Sequence, residues 1–302
     1  MATPSTDTQV MTTSQAVIFG EVLFDCFPEG RTILGGAPFN VAWNLQMLGV
    51  QPLFIGAVGQ DDLGEQVLAA MQRIGLKTHG LQRHSERPTG QVQVSFQNGE
   101  PHYQILPDQA YDAIDPHAIP QEPFDLLYHG SLALRTAHNQ AVFSDLRQRA
   151  RRRFVDVNLR HPWYTPTSIL QLIQGADYVK LNHAEFAELL SVLWPATQLD
   201  PDDATTARDF LQQTNIGQAL IITQGAQGAH IITRSGDVLQ APAAPVPDFQ
   251  DAVGAGDAFA SRVLLGILHD QPWPQTLEAA LAFAARVCSL RGATSPDPTF
   301  YG

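Results

Sequence analysis

Phe154-Val-Asp-Val157, Tyr178-Val-Lys-Leu181 and Ala219-Leu-Ile-Ile-Thr223 are three short apolar runs, with helically spaced stretches at 184–193 and 204–213 between the last two. Such runs, separated by helices, read as strands buried on both faces of a parallel sheet. The pattern extends outward from there. Strands are expected at 16–19, 53–57 and 126–129, and helices at 37–48, 64–74 and 137–151. Two further helices, about 254–269 and 275–290, close the chain. The fold class is α/β, a doubly wound and mostly parallel sheet flanked by helices.

One segment breaks the alternation. Residues 91–97 and 102–106 are strand-like and separated by Asn98-Gly99, a hairpin signal. With the stretch 23–34 they predict a small β-lid over the carboxyl ends of the strands, where open α/β sheets bind ligands. No repeat or interdomain linker is visible, so the expected organisation is a polar tail over 1–13 and one domain over 14–302.

The 302 residues carry 30 acidic and 18 basic side chains, a formal net charge of −12. Such a surface repels phosphate backbones and acidic membranes, which argues against nucleic-acid and membrane partners. A polyanionic ligand then needs local positive potential, from a metal ion or from helix N-termini. Cys26 and Cys288 stand far apart, which argues against a disulfide framework or zinc site and for a reducing compartment. The tail lacks a secretion-signal pattern and no apolar run reaches membrane-spanning length, so a cytoplasmic protein is expected.

Chemistry concentrates in Asp251-Ala-Val-Gly-Ala-Gly-Asp257-Ala-Phe259. Gly254, Ala255 and Gly256 run into a helix whose first N–H groups lack intrahelical partners. Small side chains let a phosphate approach them, which makes an anion hole. Asp257 follows in the first turn, placed to accept a proton from an attacking hydroxyl. Taken alone, the segment is equally a glycine-rich turn with an Asp at a helix start. Neither a Walker A sequence nor GxGxxG is present to decide it.

A second segment decides it. Gly20-Glu-Val-Leu-Phe-Asp25 follows the first strand, and GGAPFNVAWNLQMLG occupies residues 35–49. With DAVGAGDAF at 251–259, the chain resembles the PfkB (ribokinase-like) carbohydrate kinases in both characteristic segments, in the expected order. The resemblance covers essentially the whole chain after the tail. It implies an ATP-dependent sugar kinase with Mg²⁺ and, in some relatives, K⁺. Asp257 is then the base and residues 254–256 the anion hole. Asp25 binds two sugar hydroxyls, a pairing that suits a carboxylate acceptor. Gly35, Gly36 and Asn40 line the same sugar pocket.

Further segments match. Lys180-Leu-Asn182-His-Ala-Glu185 resembles the family's N-x-x-E motif, which implies that Asn182 serves the nucleotide and Glu185 places Mg²⁺ through water. The same spacing is a helix capping box, and both readings stand. Thr223, Gly225 and Gly228 resemble the strand-turn-strand beside the nucleotide. Gly292-Ala293 resembles the loop over the adenine and a monovalent-cation site, to which Asp251 would contribute. The family's lid implies a homodimer.

Gly130-Ser-Leu-Ala-Leu and Asp156-Val-Asn158-Leu-Arg160-His-Pro-Trp163 look like segments of fructokinases and 2-keto-3-deoxygluconate kinases. Arg160 then points at the phosphoryl group or substrate, against the alternative of a surface salt bridge. Three positions depart from the pattern: Ala252 for Thr, Arg262 for a small residue and Val157 for Pro. None of the ten histidines falls in an HExxH spacing. A sugar-binding regulator without catalysis is the rival from another class, disfavoured by the intact GAGD. A dinucleotide oxidoreductase would want a fingerprint after the first strand, and residues 20–25 are not one. Fructose, phosphorylated at its 6-hydroxyl, is the expected substrate, with 2-keto-3-deoxygluconate next.

Overall fold

The computed structural model describes residues 16–97, 100–119, 121–246 and 248–302. The tail 1–13 and the Asn98-Gly99 turn lie outside the described residues. The chain opens with β1 (Ala16–Phe19), β2 (Leu23–Cys26), β3 (Thr32–Gly35) and α1 (Ala37–Met47). It continues through β4 (Leu53–Gly59), α2 (Asp62–Arg73), β5 (Leu81–His84), β6 (Gly90–Gln97) and β7 (Glu100–Ile105). The middle holds β8 (Phe124–His129), α3 (Ala137–Arg149), β9 (Ala150–Asp156), α4 (Pro166–Ile173), β10 (Tyr178–Asn182) and α5 (His183–Leu193). Last come α6 (Ala204–Gln213), β11 (Ala219–Thr223), β12 (Ala229–Thr233), β13 (Val238–Ala241), α7 (Ala255–Leu268) and α8 (Trp273–Val287).

The large sheet has the order β13-β12-β11-β10-β9-β8-β1-β4-β5, parallel from β11 to β5. β12 and β13 join antiparallel at one edge. From β1 the chain first builds toward β4 and β5, then crosses to β8 on the other side of β1. A crevice therefore opens beyond the carboxyl ends of β1 and β8, the switch point of the sheet.

Alternation along β1 shows how both faces are covered. Ile18 packs with α1, α7 and α8 through Phe39, Phe259 and Leu277, whereas Val17 and Phe19 face α3 through Phe143 and Leu146. Farther along, Val179 and Leu220 pack against Phe186 of α5 and Phe210 of α6. The lid is a separate sheet, β3-β2-β6-β7, with β2 and β6 parallel and the other pairs antiparallel.

The expected elements are present, β12 completing the strand-turn-strand implied around Gly225 and Gly228; β5, α4, β13 and several short 3₁₀ turns are additional. Many expected boundaries shift by one to three residues, and the largest displacement lies at the junction of α3 and β9. The helix placed at 137–151 ends at Arg149, and β9 begins at Ala150 rather than Phe154. Arg151, Arg152 and Arg153 hid that strand start, because their charge reads as helix surface while their backbone pairs with β8. No described helix is long and apolar enough to cross a membrane.

Candidate active site

At the N-terminus of α7, Gly254 adopts φ 80°, and a Cβ there would lie 2.3 Å from that of Ala293. Only glycine fits, and the 292–293 loop is thereby seated on the turn that opens the helix. The Ala255 N–H turns back to the Ala252 carbonyl at 3.2 Å. The amides of Gly256 and Asp257 have no backbone acceptor among the described residues. In the expected anion hole Ala255 would therefore contribute its small size, and the next two residues the free donors.

Asp257 receives a hydrogen bond from Asn40, Nδ2 to Oδ2 at 2.8 Å. Asn40 stands in the first turn of α1, which follows the capping residue Gly36. That residue is at φ 105°, and any Cβ would meet the Glu21 carbonyl at 2.6 Å. Burial pushes the Asp257 carboxyl up to about 6, with Asp156 adding to the shift and Asn40, Lys180 and Arg160 opposing it.

Beneath the anion hole lies a buried ion pair, Lys180 Nζ to Asp156 Oδ1 at 2.8 Å and Oδ2 at 3.0 Å. Tyr128 donates to the same carboxylate at 3.3 Å. Lys180 Nζ is 3.6 Å from where a Gly256 Cβ would stand, so the ammonium reaches the floor of the cleft. Val157 donates its N–H to the Lys180 carbonyl at 3.0 Å, a bond that a proline there would lack. Sequence reasoning assigned no role to Lys180 or Asp156, although a lysine inside an apolar strand was a visible signal.

Asn182 and Glu185 form the capping box at the start of α5, with bonds of 2.9 and 2.8 Å. The structure adds a third bond, from the Leu159 N–H to Glu185 Oε1 at 2.8 Å. Both oxygens of this buried carboxylate thus hold backbone, and Glu185 fastens α5 to the 158–163 loop.

Asp25, the expected sugar contact, is on lid strand β2, flanked by Ile33 of β3 and Val92 of β6. Gly35 ends β3 opposite Leu23. Burial raises the Asp25 carboxyl above its usual range and the Arg160 charge opposes this. Arg160 is exposed, donates to its neighbour's carbonyl, and is in no ion pair among the described residues. Its charge acts on Glu21, Asp25 and Asp257 alike, which sets it at the cleft rather than in a surface salt bridge. Glu21, also unassigned from sequence, is buried with Oε2 unpartnered. Burial first, and Asp257 in addition, push it up to about 7.

Beside the anion hole a groove of about 630 Å³ is lined by Thr223, Gly225 and Gly228 together with Gly256, Phe259 and Cys288. Its largely apolar walls beside two free amides suit a flat base carrying a phosphate chain. Ala252 also lines it. Asn182 and Asp251 are not among the lining residues. Asn182 is exposed at its cap, and Asp251 accepts from Val253 N–H at 3.1 Å beside the Cys288 carbonyl. No cluster of three His, Cys, Asp or Glu suited to a metal occurs among the described residues. Donors for Mg²⁺ would therefore come largely from phosphate oxygens and water, its habitual ligands.

The model for the "pfkB family carbohydrate kinase" matches residues 22–300. The bifunctional protein HldE of Bradyrhizobium sp. (strain ORS 278) is 27% identical over 88% of this chain and 54% of its own length. The chain thus spans about half of that relative. The probable fructokinase-6, chloroplastic, of Arabidopsis thaliana is 26% identical over 98% of this chain and 83% of its own. Among solved structures, fructokinase with bound ATP from Xylella fastidiosa superposes with a TM-score of 0.79 at 24% identity, covering 95% of both chains. Two motifs brought together across the whole sequence, a switch-point cleft and a match along nearly the full chain converge: this protein belongs to the pfkB family of carbohydrate kinases.

Proposed function

We propose that the protein transfers the γ-phosphoryl group of ATP to a sugar hydroxyl, with fructose and its 6-hydroxyl as the substrate and site. The observation that carries this reading is Asp257, held by Asn40 and flanked by the free amides of Gly256 and its own residue. Asp257 accepts the hydroxyl proton as the sugar oxygen bonds to the γ-phosphorus. The bond from that phosphorus to the bridging oxygen breaks, and ADP leaves. The amides and Lys180 offset charge on the transferring group, so catalysis is mostly positioning and electrostatics. Mg²⁺ would supply charge neutralisation on the phosphates when bound, with Glu185, through water, as the proposed protein contact. Thr223, Gly225 and Gly228 hold the nucleotide, with Asn182 at the cap beside them. Asp251 and the 292–293 loop are the proposed monovalent-cation ligands.

Asp25 holds two sugar hydroxyls, with Gly35, Gly36 and Asn40 shaping that pocket. Arg160 favours a second reading: a guanidinium without a carboxylate partner at the acceptor side suits an acid sugar such as 2-keto-3-deoxygluconate. An ADP-release assay across a sugar panel separates them. Fructose should give a higher kcat/KM than glucose, ribose, adenosine or 2-keto-3-deoxygluconate. A preference for the keto-acid that Arg160→Lys abolishes would make Arg160 a carboxylate clamp and overturn the fructose assignment. Two copies are proposed to associate through the lid, whose exposed Phe96 and Tyr103 extend its core-facing side. Sedimentation of Phe96→Ser, Tyr103→Ser against the parent tests that.

A further inference from the structure

Residues 147–153, Arg-Gln-Arg-Ala-Arg-Arg-Arg, put five of the chain's 18 basic residues into seven positions, in a protein of net charge −12. They span the junction of α3 and β9. Arg151 is offset by Asp125 at 3.0 Å, and Arg152 by the Ile267 carbonyl at 3.0 Å and Asp270 at 3.7 Å. Arg147 and Arg153 are different. Neither is in an ion pair among the described residues.

Both line one groove of about 590 Å³ between α3 and α4, on the face of the sheet away from the α7 helix start. Arg135, Phe143, Ser144 and Trp163 line it too, and no Asp or Glu does. Arg153 is buried, yet its two terminal nitrogens meet only neutral acceptors, the Leu172 carbonyl at 3.2 Å and the Gln174 carbonyl at 2.8 Å. Its nearest acidic influence is Asp177, which spends an oxygen on the Arg153 backbone N–H. Arg135 is 3% exposed and held by Asp112 on one side, but its Nη1 has no partner. That guanidinium stacks on the Trp163 ring at 4.1 Å. Burial lowers the Arg153 guanidinium below its usual range, and the Arg147 charge lowers it further. A buried cation with no ion-pair partner, facing a second cation, is a costly arrangement that an anion would relieve.

We propose that this groove is a second ligand site, taking a small phosphate monoester. Arg147 and Arg153 grip the phosphate, Ser144 and Thr165 complete it, and Phe143 and Trp163 hold the organic part. A phosphate is favoured over a carboxylate because the rim offers more donors than two oxygens can use: the Ser144 and Thr165 hydroxyls besides the guanidiniums, while those of Ser131 and Ser168 are spent on the Asn158 and Thr165 carbonyls. The site is wired to the acceptor side of the cleft. The backbone N–H of Trp163 donates to the Arg160 carbonyl at 2.9 Å, so an occupant resting on the Trp163 ring bears on the loop that carries Arg160. Occupancy should therefore change the KM for the sugar more than that for ATP.

The test is calorimetric titration of inorganic phosphate, with benzoate as the carboxylate control, into the full chain with and without saturating ADP. Phosphate binding should persist with ADP present, and it should weaken about 10-fold or more in Arg147→Gln, an exposed position whose loss leaves the core intact. Arg147→Lys should restore part of it. Phosphate binding that vanishes with ADP, or that is equal in Arg147→Gln, overturns the proposal. Tighter binding of benzoate than of phosphate overturns the ligand class. Failure of ADP itself to bind would instead count against the kinase reading, and the Arg147 comparison without ADP would still stand.

Discussion

Asn40 and Asp257, 217 residues apart, share a hydrogen bond of 2.8 Å, so the helix that opens the first motif holds the carboxylate of the second. The bond favours the ionised carboxylate against the burial that raises it. Asn40→Leu should therefore push the Asp257 titration upward. The acid limb of kcat/KM, expected near pH 6 in the parent, should move to higher pH, and kcat should fall about 10-fold. An unmoved limb in a folded variant would separate Asn40 from the base.

Asp257→Asn removes the proposed proton acceptor and leaves the free amides at the start of α7 in place. Turnover should drop by roughly 10²–10⁴-fold with nucleotide binding retained, as read by single-turnover kinetics and ADP titration. Turnover within a few-fold of the parent would unseat Asp257 as base.

Lys180→Met leaves Asp156 buried and uncompensated. It should cost about 3–5 kcal/mol in denaturant unfolding. In the fraction that folds, the freed Asp156 charge should raise the Asp257 limb. Lys180→Arg, keeping the charge, should leave that limb near its place, which tells the electrostatic role from simple loss of packing.

Glu185→Gln tests a carboxylate whose two oxygens hold the N–H groups of Asn182 and Leu159. A Gln can satisfy one and must turn its NH₂ toward the other. Stability should fall by about 1–3 kcal/mol, more than a capping box alone predicts. If Glu185 also serves Mg²⁺, the Mg²⁺ concentration for half-maximal rate rises; an unchanged titration leaves it a tether alone.

Glu21 is raised by burial to about 7 from an unfolded value of 4.5. Its protonated form is the one the fold accepts, so its contribution is full below pH 4.5 and is lost as pH rises to about 7. Glu21→Gln should accordingly add about 3 kcal/mol to stability at pH 8 and little at pH 4. Equal effects at both pH values would show that the carboxyl does not titrate across that range.

Strands and helices were legible because β1, β8 and β10 are apolar runs bounded by turns. The cleft was half legible. Motifs singled out Asp257, Asn40 and Asp25 as candidates, and the structure brings the first two into a hydrogen bond. Glu21, Lys180 and the bond from Leu159 to Glu185 were not, because each depends on which loops the sheet order brings together. β9 was misplaced at its start for a related reason. Its arginines look like helix surface until the pairing with β8 is known. Val157, a departure by sequence, proves to be a residue whose N–H is in use.

Asp25 rides on the small sheet and Asp257 on a helix of the large one, with no strand shared between the two sheets. Under the proposed reaction, a substrate must be long enough to span both: one end clasped by the lid, the other offered to the base. A water molecule has the nucleophile but not the span. Discrimination against wasteful hydrolysis of ATP is then built into the gap between two sheets, as a ruler that only a polyhydroxyl chain of the right length satisfies.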